Sequence, residues 1–74
     1  MLTYLVEIEG YRARIERTRD GVLHGHVIEI HAPISFKATT PRLVETKFAR
    51  ALQDYFTRCQ QQGIDPEKPT PSGF

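Results

Sequence analysis

The chain has 74 residues, room for one domain and one modest core, since a domain near this size buries only roughly 60% of its unfolded surface. Apolar residues make up 39% and charged ones 26%, which excludes global disorder, and no apolar run approaches the roughly 18 residues that a membrane span needs. A net charge of +1 singles out no class of partner. The lone Cys59 fits a reducing, cytoplasmic setting, and Met1-Leu2-Thr3-Tyr4 does not read as a signal peptide.

From Leu2 to Arg17 the side chains alternate. Leu2, Tyr4, Val6 and Ile8 fall on one face, and Tyr11, Ala13 and Ile15 resume the pattern after a slip at Glu9-Gly10. Period two in Tyr, Val and Ile predicts strand. Two explanations of the slip stay open. Gly10 as a bulge bending one long strand is favoured, because a bulge shifts the alternation by one residue. A two-residue hairpin turn at Glu9-Gly10, giving an additional strand, is the alternative. Arg12, Arg14, Arg17 and Arg19 sit close together, with Glu16 the one carboxylate among them. A solvated strand face explains that run more simply than a phosphate or acidic surface does.

Arg19-Asp20-Gly21 predicts a hairpin turn, Asp-Gly between strand patterns being a strong short-range signal. The next strand is predicted from about Val22 to Ile30, with Leu23, Gly25 and Val27 on one face and His24, His26 and Ile28 on the other. His31-Ala32-Pro33 ends it, because proline cannot donate to a ladder. A short strand from Ile34 to Ala38 follows, with Ile34 and Phe36 sharing a face.

Thr40-Pro41 opens a helix, threonine as N-cap and proline in the first turn. Val44, Phe48, Ala51, Leu52, Tyr55 and Cys59 form one stripe at spacings of three and four, and Gly63 stops the helix. The expected fold is α+β. An antiparallel meander of three or four strands is covered on one face by the long C-terminal helix. Ala13, Ile15, Leu23, Val27, Ile34 and Phe36 face the helix, and Gly25 allows an aromatic ring or the helix to approach closely. The opposite face, with Arg12, Arg14, Glu16, His24 and His26, stays open. Residues 1–63 make the domain and residues 64–74 a proline-rich tail, expected to be extended and mobile.

Catalytic chemistry finds little support. His24-x-His26 points two imidazoles the same way, but a metal site needs further ligands, so no metal or cofactor is expected. Cys59 on an apolar stripe reads as a small buried hydrophobe rather than a nucleophile. No phosphate-cradling glycine loop, useful carboxylate pair or nucleotide fingerprint occurs. The expectation is a binding module and not an enzyme.

The order of particular residues carries the reading further. Gly10-Tyr11-Arg12-Ala13-Arg14-Ile15-Glu16 resembles the opening of HicB-family antitoxins, the neutralising halves of HicA–HicB toxin–antitoxin pairs. Asp20-Gly21-Val22-Leu23-His24-Gly25-His26-Val27 looks like the family's second strand, and Phe36 followed by Thr40 its third strand and helix start. Ala51-Leu52-Gln53-Asp54-Tyr55-Phe56 with Cys59 and Gly63 resembles the helix end, and Pro66-Glu67-Lys68-Pro69 with Ser72-Gly73-Phe74 the linker beyond it. These pieces run from about Gly10 to Phe74, and their order and spacing are more specific than any one of them.

The resemblance implies a degraded RNase H-like β-β-β-α domain that binds HicA, a small RNA-cleaving toxin, and covers its active site. The family's DNA-binding module has no counterpart in this sequence, and its operator-binding role is not carried over. Relatives begin the helix with acidic residues, whereas this helix begins Pro41-Arg42-Leu43-Val44, with Glu45 the remaining acid. That departure keeps an acidic protein or nucleic-acid partner open, and the second reading is a stand-alone, repurposed HicB-like module, such as a phage or mobile-element inhibitor of nucleic-acid-processing machinery. The expected partner is a protein, with homo-oligomerisation, no membrane and no direct nucleic-acid binding. The expected contact residues are Arg12, Arg14, His24, His26, Arg42, Lys47 and Arg50.

Overall fold

The computed structural model describes residues 3–69. Four strands, β1 (Thr3–Ile8), β2 (Tyr11–Arg17), β3 (Leu23–Val27) and β4 (Ser35–Ala38), form one antiparallel sheet in chain order. One helix, α1 (Pro41–Gln62), packs on one face. The α+β meander is thus four-stranded. The remainder of the predicted tail, residues 70–74, and Leu2 of the first predicted strand lie outside the described residues.

The favoured reading of Gly10 as a bulge is overturned. Ile8 pairs with Tyr11 across a two-residue turn, and both turn residues are left-handed, Glu9 at φ 53 and Gly10 at φ 84. Two consecutive positive φ values make the primed turn whose twist suits a hairpin. The second hairpin is wider. Thr18 N–H donates to Val22 C=O and Gly21 N–H to Thr18 C=O, each at 3.0 Å. Gly21 takes the left-handed position at φ 83. The Asp20 carboxylate accepts the Thr18 hydroxyl and the Val22 N–H, and these bonds, the hydroxyl's first, hold its carboxyl below the ordinary range.

The strand expected to reach Ile30 ends at Val27. Glu29 sits at φ 68, a conformation that no ladder residue adopts. Ile34, expected to begin the last strand, precedes it and is buried, its C=O accepting from Val27 N–H at 2.9 Å.

The face divides as the alternation requires. Ala13, Ile15, Leu23, Val27, Ile34 and Ala38 are buried against Val44, Phe48 and Leu52 of the helix. Gly25 is the point of closest approach. A β-carbon there would lie 2.3 Å from the tip of the Phe36 ring. That ring in turn stacks on Phe48, with centroids 5.3 Å apart and planes at 9°.

Helix α1 has 22 residues, a rod of about 33 Å at 1.5 Å per residue. Thr40 is the N-cap with extended backbone, but its side chain makes no capping bond, and Pro41 supplies the preset first turn. At the other end Gly63, at φ 70, donates to Gln60 C=O and Ile64 N–H to Cys59 C=O. That bonding pair is a Schellman stop, with Ile64 folded back beside Cys59.

The described part of the tail, expected to be extended and mobile, is tied to the domain by hydrogen bonds. Residues 64–69 have no regular structure, yet Glu67 pins them down. Tyr11 hydroxyl donates to Glu67 C=O at 2.6 Å, and Glu67 N–H donates to the Tyr55 hydroxyl at 2.7 Å. The Glu67 carboxylate accepts the N–H groups of His31 and Ala32 and lies 2.8 Å from His31 Nδ1.

Candidate interaction surface

The sheet register builds the open face from rows of directly opposed residues. One row runs Thr3, Glu16, His24, Lys37, and the next Leu5, Arg14, His26, Ser35. A third begins with Glu7 and Arg12. Paired antiparallel residues share a face, so Arg12, Arg14, His24 and His26 do lie together, opposite the helix. Arg14 and His26 are exposed neighbours at the centre of this surface, and His24 stands between Glu16 and Lys37.

Arg12 is not a free cation. Its Nε donates to a Glu29 carboxylate oxygen at 2.8 Å, and a terminal guanidinium nitrogen donates to the other. This two-pronged pair fixes both planes. The left-handed turn at Glu29 aims its carboxylate back at β2. Glu7, Glu16 and Glu29 therefore offset Arg12, Arg14 and Lys37, and the face is charge-balanced rather than basic.

Arg42, Lys47 and Arg50 lie on the helix, which covers the other side of the sheet. The seven expected contact residues thus fall on two separate surfaces. Lys47 is half-buried and lines, with Lys37, Leu43 and Val22, a shallow cleft of about 340 Å³ where the helix start meets β4. No acidic residue stands in the first helical turn, so the positive end of the helix dipole adds to these side chains.

Cys59 is buried, at 2% exposure, and lines a cleft of about 150 Å³ with Tyr55, Ile34, Pro33 and Ile64. Among the described residues no group of three or more His, Cys, Asp or Glu gathers as a metal-ligand set. None of the helices there is long and apolar enough to cross a membrane. Nor is any Phe or Tyr ring among the described residues exposed, the exposed large apolar side chains being Leu5, Leu43 and Ile64.

Three residues of these surfaces were not singled out from sequence. Leu5 is 52% exposed on the polar face, and its signal was there: it is the apolar residue out of phase with Tyr4, Val6 and Ile8. Glu29 was hidden inside a strand predicted too long. Glu67 sat in a segment read as linker.

No family model, curated protein or solved structure matches the chain.

Proposed function

We propose that this chain is a HicB-like antitoxin domain that acts in the cytoplasm by binding a HicA-type RNA-cleaving toxin and covering its active site. The observation that carries this reading is the open sheet face. It is broad, charge-balanced and centred on Arg14 and His26, with Leu5 as an apolar anchor. Mixed charge around one apolar residue suits a protein surface, where a few anchors carry affinity and charges set orientation. It suits a phosphate backbone poorly, because affinity there scales with the number of unpaired cations. No Phe or Tyr ring among the described residues is exposed, which leaves little of the stacking platform that single strands use.

The test is co-purification with a HicA-type toxin encoded beside this reading frame. The expected result is a stable complex that blocks RNA cleavage and is weakened by Leu5→Asp or Arg14→Glu in folded protein. No complex, or a complex indifferent to both substitutions, would overturn the reading.

One observation favours the second reading, a repurposed module acting on nucleic-acid-processing machinery. The helix start carries Arg42 and Lys47 without an acidic residue in its first turn, and so complements an acidic partner rather than a basic toxin. Binding of a partner that Arg42→Glu/Lys47→Glu abolishes, while Arg14→Glu leaves it intact, would select it.

A further inference from the structure

We propose that β1 pairs with β1 of a second copy, two-fold and antiparallel, with Leu5 opposite Leu5, so that two four-stranded sheets run on as one.

Ile28 N–H donates to Arg12 C=O. In an antiparallel strand both polar groups of a residue point to the same side, and the side alternates along the chain. Arg12 and Arg14 therefore bond toward β3, and Tyr11, Ala13 and Ile15 toward β1. Their opposed residues Ile8, Val6 and Tyr4 bond back. Thr3, Leu5 and Glu7 are left aiming N–H and C=O at the outer edge, since β1 is the end strand of the sheet.

The two edges of the sheet are not equivalent. The β4 edge is four residues long, carries Lys37 and is preceded by Pro33. A short strand, a lysine and a proline are the usual guards against edge pairing. The six residues of β1, Thr-Tyr-Leu-Val-Glu-Ile, hold no lysine, arginine or proline. They are strand formers, and Leu5 is 52% exposed at the middle.

Two-fold symmetry then restricts the register. Opposed residues must share a face, and bonded pairs must come from Thr3, Leu5 and Glu7. Centring the axis on Glu7 sets two carboxylates against each other, which is unfavourable, centring it on Val6 sets apolar Leu5 against charged Glu7, and centring it on Thr3 or Tyr4 pairs at most three residues of β1. Centring it on Leu5 sets Leu5 against Leu5, and Glu7 against Thr3, whose hydroxyl can donate to it. On the helix side the same register lays Tyr4 against Val6 of the second copy. Both are half-buried and packed at the margin of the core, so that pairing extends the core across the axis. A chain with so small a core has reason to enlarge it in this way.

The test combines oligomeric state with register. Light scattering of the purified protein across micromolar concentrations is expected to show a dimer. Leu5→Pro removes an outward N–H and leaves the β1–β2 ladder bonded, so it is expected to give a monomer with the parental circular dichroism spectrum. If that variant loses its fold, cross-linking decides. A bonded antiparallel pair has Cα atoms about 5.5 Å apart, within disulfide reach. Leu5→Cys is expected to form a disulfide-linked dimer rapidly under mild oxidation, and Glu7→Cys to stay largely unlinked, while mixed Thr3→Cys and Glu7→Cys proteins link to each other. Buried Cys59 does not compete. A parent that stays monomeric to hundreds of micromolar, or a Glu7→Cys protein that links faster than Leu5→Cys, would overturn the proposal.

Discussion

At the scale of single residues, Gly25 shows how the absence of an atom organises a core. The Phe36 ring occupies the space where any side chain at Gly25 would begin, with ring atoms 2.3 to 2.8 Å from that point. Phe48, itself fully buried, stacks on the same ring and limits how far it can yield. Gly25→Ala is therefore expected to destabilise the domain by roughly 1–3 kcal/mol through overpacking. Adding Phe36→Leu to it should recover part of that loss, because the clash and the ring are one interaction. Thermal unfolding of the two single variants and the double variant checks this. A Gly25→Ala protein that melts with the parent would mean that the ring is not seated there. The close approach at Gly25 was legible from a glycine in mid-strand, but its partner was not. Phe36 meets Gly25 through the β3–β4 register, and nothing local to either residue encodes that pairing.

At the scale of elements, the first hairpin and the helix differ in how openly they are written. The helix was readable from end to end, because Pro41 starts it, Gly63 stops it and a stripe at spacings of three and four lies between. Burial follows that stripe through Val44, Phe48, Leu52 and Cys59. Phe48→Ala is expected to cost roughly 3–5 kcal/mol and Leu52→Ala roughly 2–5 kcal/mol, a large share of a small domain's stability, as denaturant unfolding would show. The hairpin was misread for a physical reason. A bulge and a two-residue turn both shift the alternation by one residue, so periodicity cannot separate them. Only the backbone separates them, and glutamate at φ 53 is a poor advertisement for a turn that favours asparagine. Glu9→Asn is accordingly expected to raise stability by a few tenths to about 1 kcal/mol, on the scale of local backbone effects. A loss of stability would contradict the turn. The open face was half legible. Alternation grouped Arg12, Arg14, His24 and His26 correctly, but it could not show Arg12 held by Glu29, nor the helical cations removed to another surface.

At the scale of the whole molecule, residues 64–69 act as a strap, and Glu67 is its buckle. Its backbone joins Tyr11 of β2 to Tyr55 of the helix, and its carboxylate holds the turn at His31 and Ala32. These partners lie up to 56 residues away in sequence, which is why a proline-rich composition suggested a free tail. The strap has a pH window set by its own groups. The His31 N–H, then the His31 ring and the Ala32 N–H, hold the Glu67 carboxyl below its ordinary 4.5. A carboxyl lowered by folding contributes stability that is present above its unfolded value and lost as pH falls through the lower folded one. Burial, and then the neighbouring acidic groups, raise the Tyr11 hydroxyl above 10.0. At Tyr55 the Glu67 N–H favours the phenolate, but burial and Cys59 outweigh it and the net direction is again upward from 10.0. A phenol raised by folding contributes stability that is fully present below its unfolded value and lost as pH rises through the higher folded one. The strap should therefore hold across neutral pH and let go at both extremes. In an NMR titration the His31 and Ala32 amide signals are expected to move together with a midpoint below 4.5. In Glu67→Gln the same titration should vanish. Tyr11→Phe should instead lower stability by roughly 0.5–1.5 kcal/mol at neutral pH, the net worth of one hydrogen bond, and leave the acid midpoint in place. Amide signals that stay flat through the acid range, or a midpoint above 4.5, would show that the carboxylate does not fasten the strap.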